Sequence, residues 1–148
     1  MRGPSATLVV DAAIFVAAVR GRTSGAIRVA QAAAMLLTTD RVVQEARRRI
    51  ELVLRRPDLL ELLNELLEQI TVFPVVALEP LLAENENVLR QAVASGNRST
   101  RDAHVLALAR DMDADIWTTD RDFAGTGVAS WSTPNLVRGF AIAGVEPP

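Results

Sequence analysis

Short apolar runs alternate with amphipathic stretches along the whole chain. Thr7 to Val10 is a run of β-forming residues that ends at Asp11 and leads straight into Ala12 to Arg20, whose Ala, Ile, Phe and Val suit a buried helix. Gly21, Ser24 and Gly25 mark a turn, Ala26 to Ala34 reads as helix, and Met35 to Thr38 as a second buried strand. Thr39 or Asp40 can cap a helix from Arg41 to about Arg55, where Pro57 ends it and opens the next, Asp58 to Gln69. Thr71 to Val76 is a third strand, weakened by Pro74. Pro80 starts a helix to Ser95, Gly96 to Thr100 forms a polar linker, and Arg101 to Met112 is helical again. Ile116 to Thr119 and Ala129 to Ser132 are two further short strands. Pro134 then begins a last helix to about Ala143, with Gly144 as its stop.

Apolar strands separated by helices, with no hairpin signal between most of them, describe an α/β fold with a parallel sheet covered on both faces. A chain of 148 residues is the size of one domain, so residues 1–148 are expected to form a single unit.

Composition narrows the chemistry. Apolar residues make up 49% and charged residues 23%, which excludes a disordered or low-complexity chain. There is no Cys, no Tyr and one His, and all sixteen cationic residues are Arg. A cysteine nucleophile, a thiolate metal site, a lysine Schiff base and a lysine-containing phosphate loop are therefore excluded. The net charge of −2 argues against binding nucleic acid by bulk electrostatics, while leaving room for a local basic patch. Leu8 to Val19, the longest apolar stretch, contains Asp11 and is too short to span a bilayer, so a cytoplasmic protein without membrane contact is expected.

In a parallel sheet, each strand's carboxyl end and the following helix's amino end share one edge, where α/β folds place their ligands. Asp11 closes the first strand, Asp120 and Asp122 follow the fourth, Glu45 sits early in the helix after the second, and Asp102 lies in the first turn of the helix returning toward the fourth. Gathering these anions raises each one's pKa unless a cation joins them. Carboxylates without His or Cys suit hard ions, so Mg²⁺ or Mn²⁺ is expected, with hydrolysis of a phosphodiester as the leading chemistry.

The segments LVVDAAIFV around Asp11, VVQEARRRI around Glu45, RDAHVLALA around Asp102 and IWTTDRDF around Asp120 resemble, in order and spacing, a PIN domain, most of all the VapC-type ribonuclease toxins. The most specific piece is Ile116 to Phe123, with its Thr-x-Asp-x-Asp-Phe pattern. The resemblance covers about the whole chain and implies a three-layer α/β/α sandwich with a central, mostly parallel sheet of four to five strands. It also implies Mg²⁺- or Mn²⁺-dependent cleavage of RNA, a homodimer, and inhibition by a cognate antitoxin. By the same resemblance, Asp11, Glu45, Asp102 and Asp120 form the catalytic, metal-binding quartet, Asp122 is a fifth metal-binding acid, and Thr118 is a hydroxyl beside the site, expected among the substrate contacts. One departure stands out: Ala12 and Ala13 occupy positions where the family usually carries Ser or Thr followed by Asn or Ser.

Plainer readings exist for each residue. Asp11 can cap a helix, Glu45 can pair with Arg48 or Arg49, Asp102 complements a helix amino end, and Asp120 and Asp122 are common turn residues. Asp111, Asp113 and Asp115 mimic calcium-loop spacing, but Ile116 stands where the loop needs Gly, so a solvated helix end is expected instead. His104, about 200° around a regular helix from Asp102, is expected to point away from it in a structural role. Without a second His, no Ser-His-Asp triad is supported. Arg48, Arg101 and Arg121 are candidates for holding an RNA backbone, as are their neighbours Arg47, Arg49 and Arg98, although taken singly each reads more simply as a solvated or paired cation. The few aromatics are expected in the core, and so is the apolar face of Leu52 to Ile70, which a partner helix could otherwise meet. Two other functions remain open at this point. One is a PIN-like RNA- or protein-binding module with weak or no nuclease activity, motivated by Ala12 and Ala13. The other is an aspartyl phosphatase using Asp120 or Asp11, which the absence of Lys disfavours.

Overall fold

A computed structural model of the protein describes residues 2–92 and 100–144, apart from the side chain of Ser24. The chain enters through strand β1 (Thr7–Val10), whose last three residues are buried, and passes into helix α1 (Ala12–Val19). Helix α2 (Ser24–Ala33) leads to β2 (Met35–Thr39), and α3 (Asp40–Arg48) follows at once, continuing as a π-helical turn over Arg49–Val53. A 3₁₀ turn (Pro57–Leu59) opens α4 (Leu60–Leu67), after which come β3 (Thr71–Phe73), a second 3₁₀ turn (Val75–Leu78) and α5 (Glu79–Gln91). Helix α6 (Ala103–Asp111), β4 (Asp115–Trp117), β5 (Ser130–Trp131) and α7 (Thr133–Ile142) complete the described fold.

All five strands join one sheet in the order β3-β2-β1-β4-β5, and every pairing is parallel. The expected α/β architecture is thus what the chain adopts. The chain steps outward from β1 to β2 to β3, then crosses back to place β4 on the other flank of β1. With right-handed crossovers, this reversal puts α1 to α4 on one face and α5 and α6 on the other. It also opens a crevice between the carboxyl ends of β1 and β4, the position at which such sheets bind ligands. The apolar strands and inner helix faces form one core, in which Leu8, Ile14, Phe15, Leu37, Leu106, Ile116 and Trp117 are fully buried.

Several boundaries differ from those read in the sequence, for local reasons. Strand β3 stops at Phe73 because Pro74 has no amide to continue the ladder, and the residues to Leu78 coil into a 3₁₀ turn. The helix expected from Arg101 begins at Ala103 with Asp102 as its N-cap. It ends where Asp113 adopts a left-handed conformation, φ 51°, which Asp tolerates better than most residues. Thr119, expected in β4, lies beyond it, since the strand starts at Asp115 and pairs only through Trp117. The expected helix end at Ser95, the linker from Gly96 and Arg98 fall outside the described residues. Among the described residues, no helix is long and apolar enough to cross a membrane.

Asp115 does not lie at the solvated helix end expected of it, because it starts a buried strand. It is buried at the amino end of β4 and accepts hydrogen bonds from Arg2 Nη2 at 2.6 Å, the Ser5 amide at 2.9 Å and Trp131 Nε1 at 2.9 Å. One carboxylate thus fastens the amino-terminal segment to β4 and the edge strand β5. Its removal leaves two half-buried donors, the Ser5 amide and Trp131 Nε1, without their acceptor, so Asp115→Ala is expected to lose about 1–3 kcal/mol of stability in urea denaturation followed by tryptophan fluorescence. The exposed neighbour Asp111, changed to Ala, is expected to stay within about 0.5 kcal/mol.

Candidate metal and active site

The acids reach the crevice from four separate segments. Asp11 follows β1, and its amide still donates to Trp117 O at 3.0 Å, so it sits in register with the end of β4. Its side chain serves two purposes at once. Oδ1 accepts the Ala12 amide at 2.8 Å, capping α1, and Oδ2 accepts the Thr118 hydroxyl at 2.7 Å. Thr118 Oγ1 in turn accepts the Asp120 amide at 2.9 Å, and Asp120 Oδ1 accepts the Asp122 amide at 3.0 Å. This relay of short side chains fixes the loop after β4 against the end of β1.

Asp102 is the N-cap of α6, yet its carboxylate makes no capping hydrogen bond. It is turned instead toward the other acids. Carboxylate oxygens of Asp11, Glu45 and Asp102 lie within 4.8 Å of one another, and so do those of Asp102, Asp120 and Asp122. Asp102 belongs to both groups and stands at their junction. An all-oxygen donor set of this density fits a hard divalent ion such as Mg²⁺ or Mn²⁺, which either the triad of Asp11, Glu45 and Asp102 or that of Asp102, Asp120 and Asp122 would hold.

Above the acids is a cavity of about 350 Å³ walled by Asp11, Glu45, Asp102 and Asp120. The cations on its wall are Arg41, Arg48, Arg49 and Arg101, joined by Gln44 and His104. Helix α3 and the start of the π-helical turn that continues it supply most of this wall through one stripe, Arg41, Gln44, Glu45, Arg48 and Arg49, at spacings of three, four, seven and eight residues. The opposite stripe, Val42, Ala46 and Ile50, is buried in the core. Glu45 Oε1 accepts Arg49 Nη2 at 2.8 Å, so the ion pair anticipated from spacing coexists with membership of the acid cluster.

Electrostatics follow from this crowding. Burial, then the charges of Asp11, Asp120, Glu45 and Asp122, push the Asp102 carboxyl up to about 7. Burial also raises Asp11, against the hydrogen bonds from Thr118 and the Ala12 amide, while Glu45 and Asp120 add to the rise. Burial and then Arg41 depress His104 to about 4, against a smaller opposing effect of Asp40, so its ring is neutral at physiological pH.

Of the residues singled out in the sequence, Asp11, Glu45, Asp102, Asp120, Arg48 and Arg101 line the cavity. Asp122 joins the acid cluster without lining the cavity. Thr118 is buried behind Asp11, its hydroxyl engaged by Asp11 and the Asp120 amide. Arg121 is exposed and does not line the cavity. Two residues on the wall were not anticipated there, Arg41 and Gln44; the stripe on α3 was the signal that contained them. His104 was expected to turn away from Asp102, and it lines the same cavity. Its ring is bonded to Thr39 and belongs to neither acid group among the described residues, in keeping with the structural role expected of it.

Known proteins share this arrangement of strands and helices. A family model described as PIN domain matches residues 9–139. Among solved structures, VapBC2 from Rickettsia felis bound to a DNA fragment from their promoter aligns with a TM-score of 0.64 at 12% identity, over 85% of this chain and 98% of that one. PAE2754 from Pyrobaculum aerophilum aligns with a TM-score of 0.60 at 17% identity, over 91% of this chain and 96% of that one. No curated protein matches the sequence. At such identities the likeness of the two structures is one of fold.

The raised Asp102 gives a pH signature in metal-free protein. A carboxyl lifted from 3.8 to about 7 binds its proton more tightly when folded, so its contribution favours the folded state below pH 4 and is lost as pH rises through 7. Asp102→Asn is therefore expected to match the wild-type melting temperature near pH 4 and to exceed it by roughly 3–6 °C at pH 8 in the presence of a chelator. Equal melting curves at both pH values would contradict the crowding described here.

Proposed function

The chain belongs to the PIN domain family, and on that premise we propose that it is a Mg²⁺- or Mn²⁺-dependent endoribonuclease that hydrolyses RNA phosphodiester bonds, acting as the toxin of a type II toxin-antitoxin pair. The observation that carries the proposal is the meeting of five carboxylates from four remote segments, with Asp102 common to both groups. A divalent cation held there supplies Lewis acidity, making a water easier to deprotonate and offsetting charge that grows on the phosphoryl oxygens.

The protein's own residues do the rest. Asp11, Glu45, Asp102 and Asp120 would hold the ion, with Asp122 as a further carboxylate of the Asp102 and Asp120 group. Thr118 keeps Asp11 aimed at the cavity and fixes the Asp120 backbone, which makes it a positioning group rather than a substrate contact. Arg48 and Arg101, together with Arg41, face the same space and suit the non-scissile phosphates of an RNA strand, because guanidinium groups grip phosphate through two parallel hydrogen bonds. Arg121, on the exposed loop beside Asp120, suits a more distant phosphate. The fold shared with VapBC2 supports a cognate antitoxin as partner. The homodimer follows from the resemblance to VapC-type toxins, and the single PIN-like unit over residues 1–148 and action in the cytoplasm from the chain's length and from its having no helix, among the described residues, long and apolar enough to cross a membrane.

A second reading, an RNA- or protein-binding module with weak chemistry, is favoured by one feature. Beyond Asp11, α1 gives the cavity no polar group, since Ala12 and Ala13 follow it. Cleavage of single-stranded RNA with Mn²⁺ separates the two. Asp11→Asn and Asp120→Asn, folded by circular dichroism, are each expected to cut at least about 100-fold more slowly than wild type. Undiminished cutting by both variants defeats the nuclease assignment, and RNA binding without turnover by the wild type favours the binding module.

A further inference from the structure

A buried hydrogen bond links the two helices that carry Glu45 and Asp102. His104, in the first turn of α6, is 3% exposed, and its Nδ1 lies 2.9 Å from Thr39 Oγ1. Thr39 is fully buried at the end of β2 and is the N-cap of α3, its hydroxyl oxygen accepting the Val42 amide at 3.1 Å. Two residues before His104 stands Asp102; six residues after Thr39 stands Glu45. Between those two acids the chain runs through α4, β3 and α5, so covalent geometry does not set their separation. Their charges repel, and both also face Asp11.

His104 does not act as a ligand itself. Neither acid group includes a His104 ring nitrogen among the described residues, although both ring nitrogens qualify as donors to a cation. Nor is its contact with Thr39 incidental packing, since the same hydroxyl caps the helix bearing Glu45.

We propose that His104 is a positioning residue: through Thr39 it holds the amino end of α6 against that of α3, so that Asp102 and Glu45 present oxygens to one cation. The inference rests on the metal-dependent reading above and adds a residue that the acid pattern does not contain. Partners that orient ligands are worth roughly tenfold to a hundredfold in metal affinity.

The test is titration of the protein with Mn²⁺, followed by the electron paramagnetic resonance signal of the free ion, with folding checked by thermal melting. His104→Leu and Thr39→Val are each expected to weaken Mn²⁺ binding about tenfold to a hundredfold, and the double variant no more than the weaker-binding single one, because both remove the same link. His104→Asn, which keeps a hydrogen-bonding atom near the Nδ1 position, and Thr39→Ser are expected to recover affinity to within about threefold of wild type. Wild-type affinity in folded Thr39→Val or His104→Leu overturns the proposal, as does a His104→Asn variant that binds as weakly as His104→Leu. Wild-type protein that binds Mn²⁺ but leaves RNA uncut ends the ribonuclease reading while the affinity comparison still decides the role of His104. Wild-type protein that binds no Mn²⁺ overturns both.

Discussion

Mutual repulsion among carboxylates is the constraint around which this molecule is built. Five acids occupy the carboxyl edge of one parallel sheet, and nothing about their own interactions favours their meeting. Rigid structure has to hold them there. The reversal of strand order between β1 and β4 brings two of the acid-bearing segments side by side, and the packing of α3 and α6 against the sheet brings in the others. Buried apolar strands supply the stiffness, since a sheet covered on both faces leaves its strand ends little freedom to move apart.

Threonine hydroxyls finish the work at the strand ends. Thr38 donates to Val10 O at 2.8 Å, joining the ends of β2 and β1 next to Asp11. Thr118 joins Asp11 to the loop that carries Asp120, and Thr39 joins α3 to α6 through His104. Each is a β-branched residue that suits a strand and also offers a hydroxyl to a neighbour. Strand propensity and site geometry therefore agree at the same positions, as expected of a sequence with little local conflict.

Much of this was legible in the sequence, because the acids sit at places that periodicity alone locates. Asp11 and Asp120 end or follow apolar runs, and Glu45 lies one turn into a helix whose apolar stripe is plain. Less legible was anything that depended on how a helix begins. Asp102 reads as part of a helix and is instead the residue before it, its carboxylate free of any capping bond and turned to the other acids. Arg41 and Gln44 were written into the polar stripe of α3, but a stripe does not say whether it meets solvent or a cavity until α6 is packed opposite. The length of β3 was hidden for another reason: Pro74 weakened the strand in the sequence without saying where the ladder would end.

The cationic wall of the cavity consists wholly of arginine, in a chain that has no lysine anywhere. A guanidinium keeps its charge throughout the range in which proteins stay folded, so the ring of positive charge around the acids does not fade in alkaline surroundings. Acetyl transfer to side-chain amines, a common way for cells to silence basic surfaces, has no foothold on this wall. Any covalent control of that surface has to be chemistry directed at guanidinium itself.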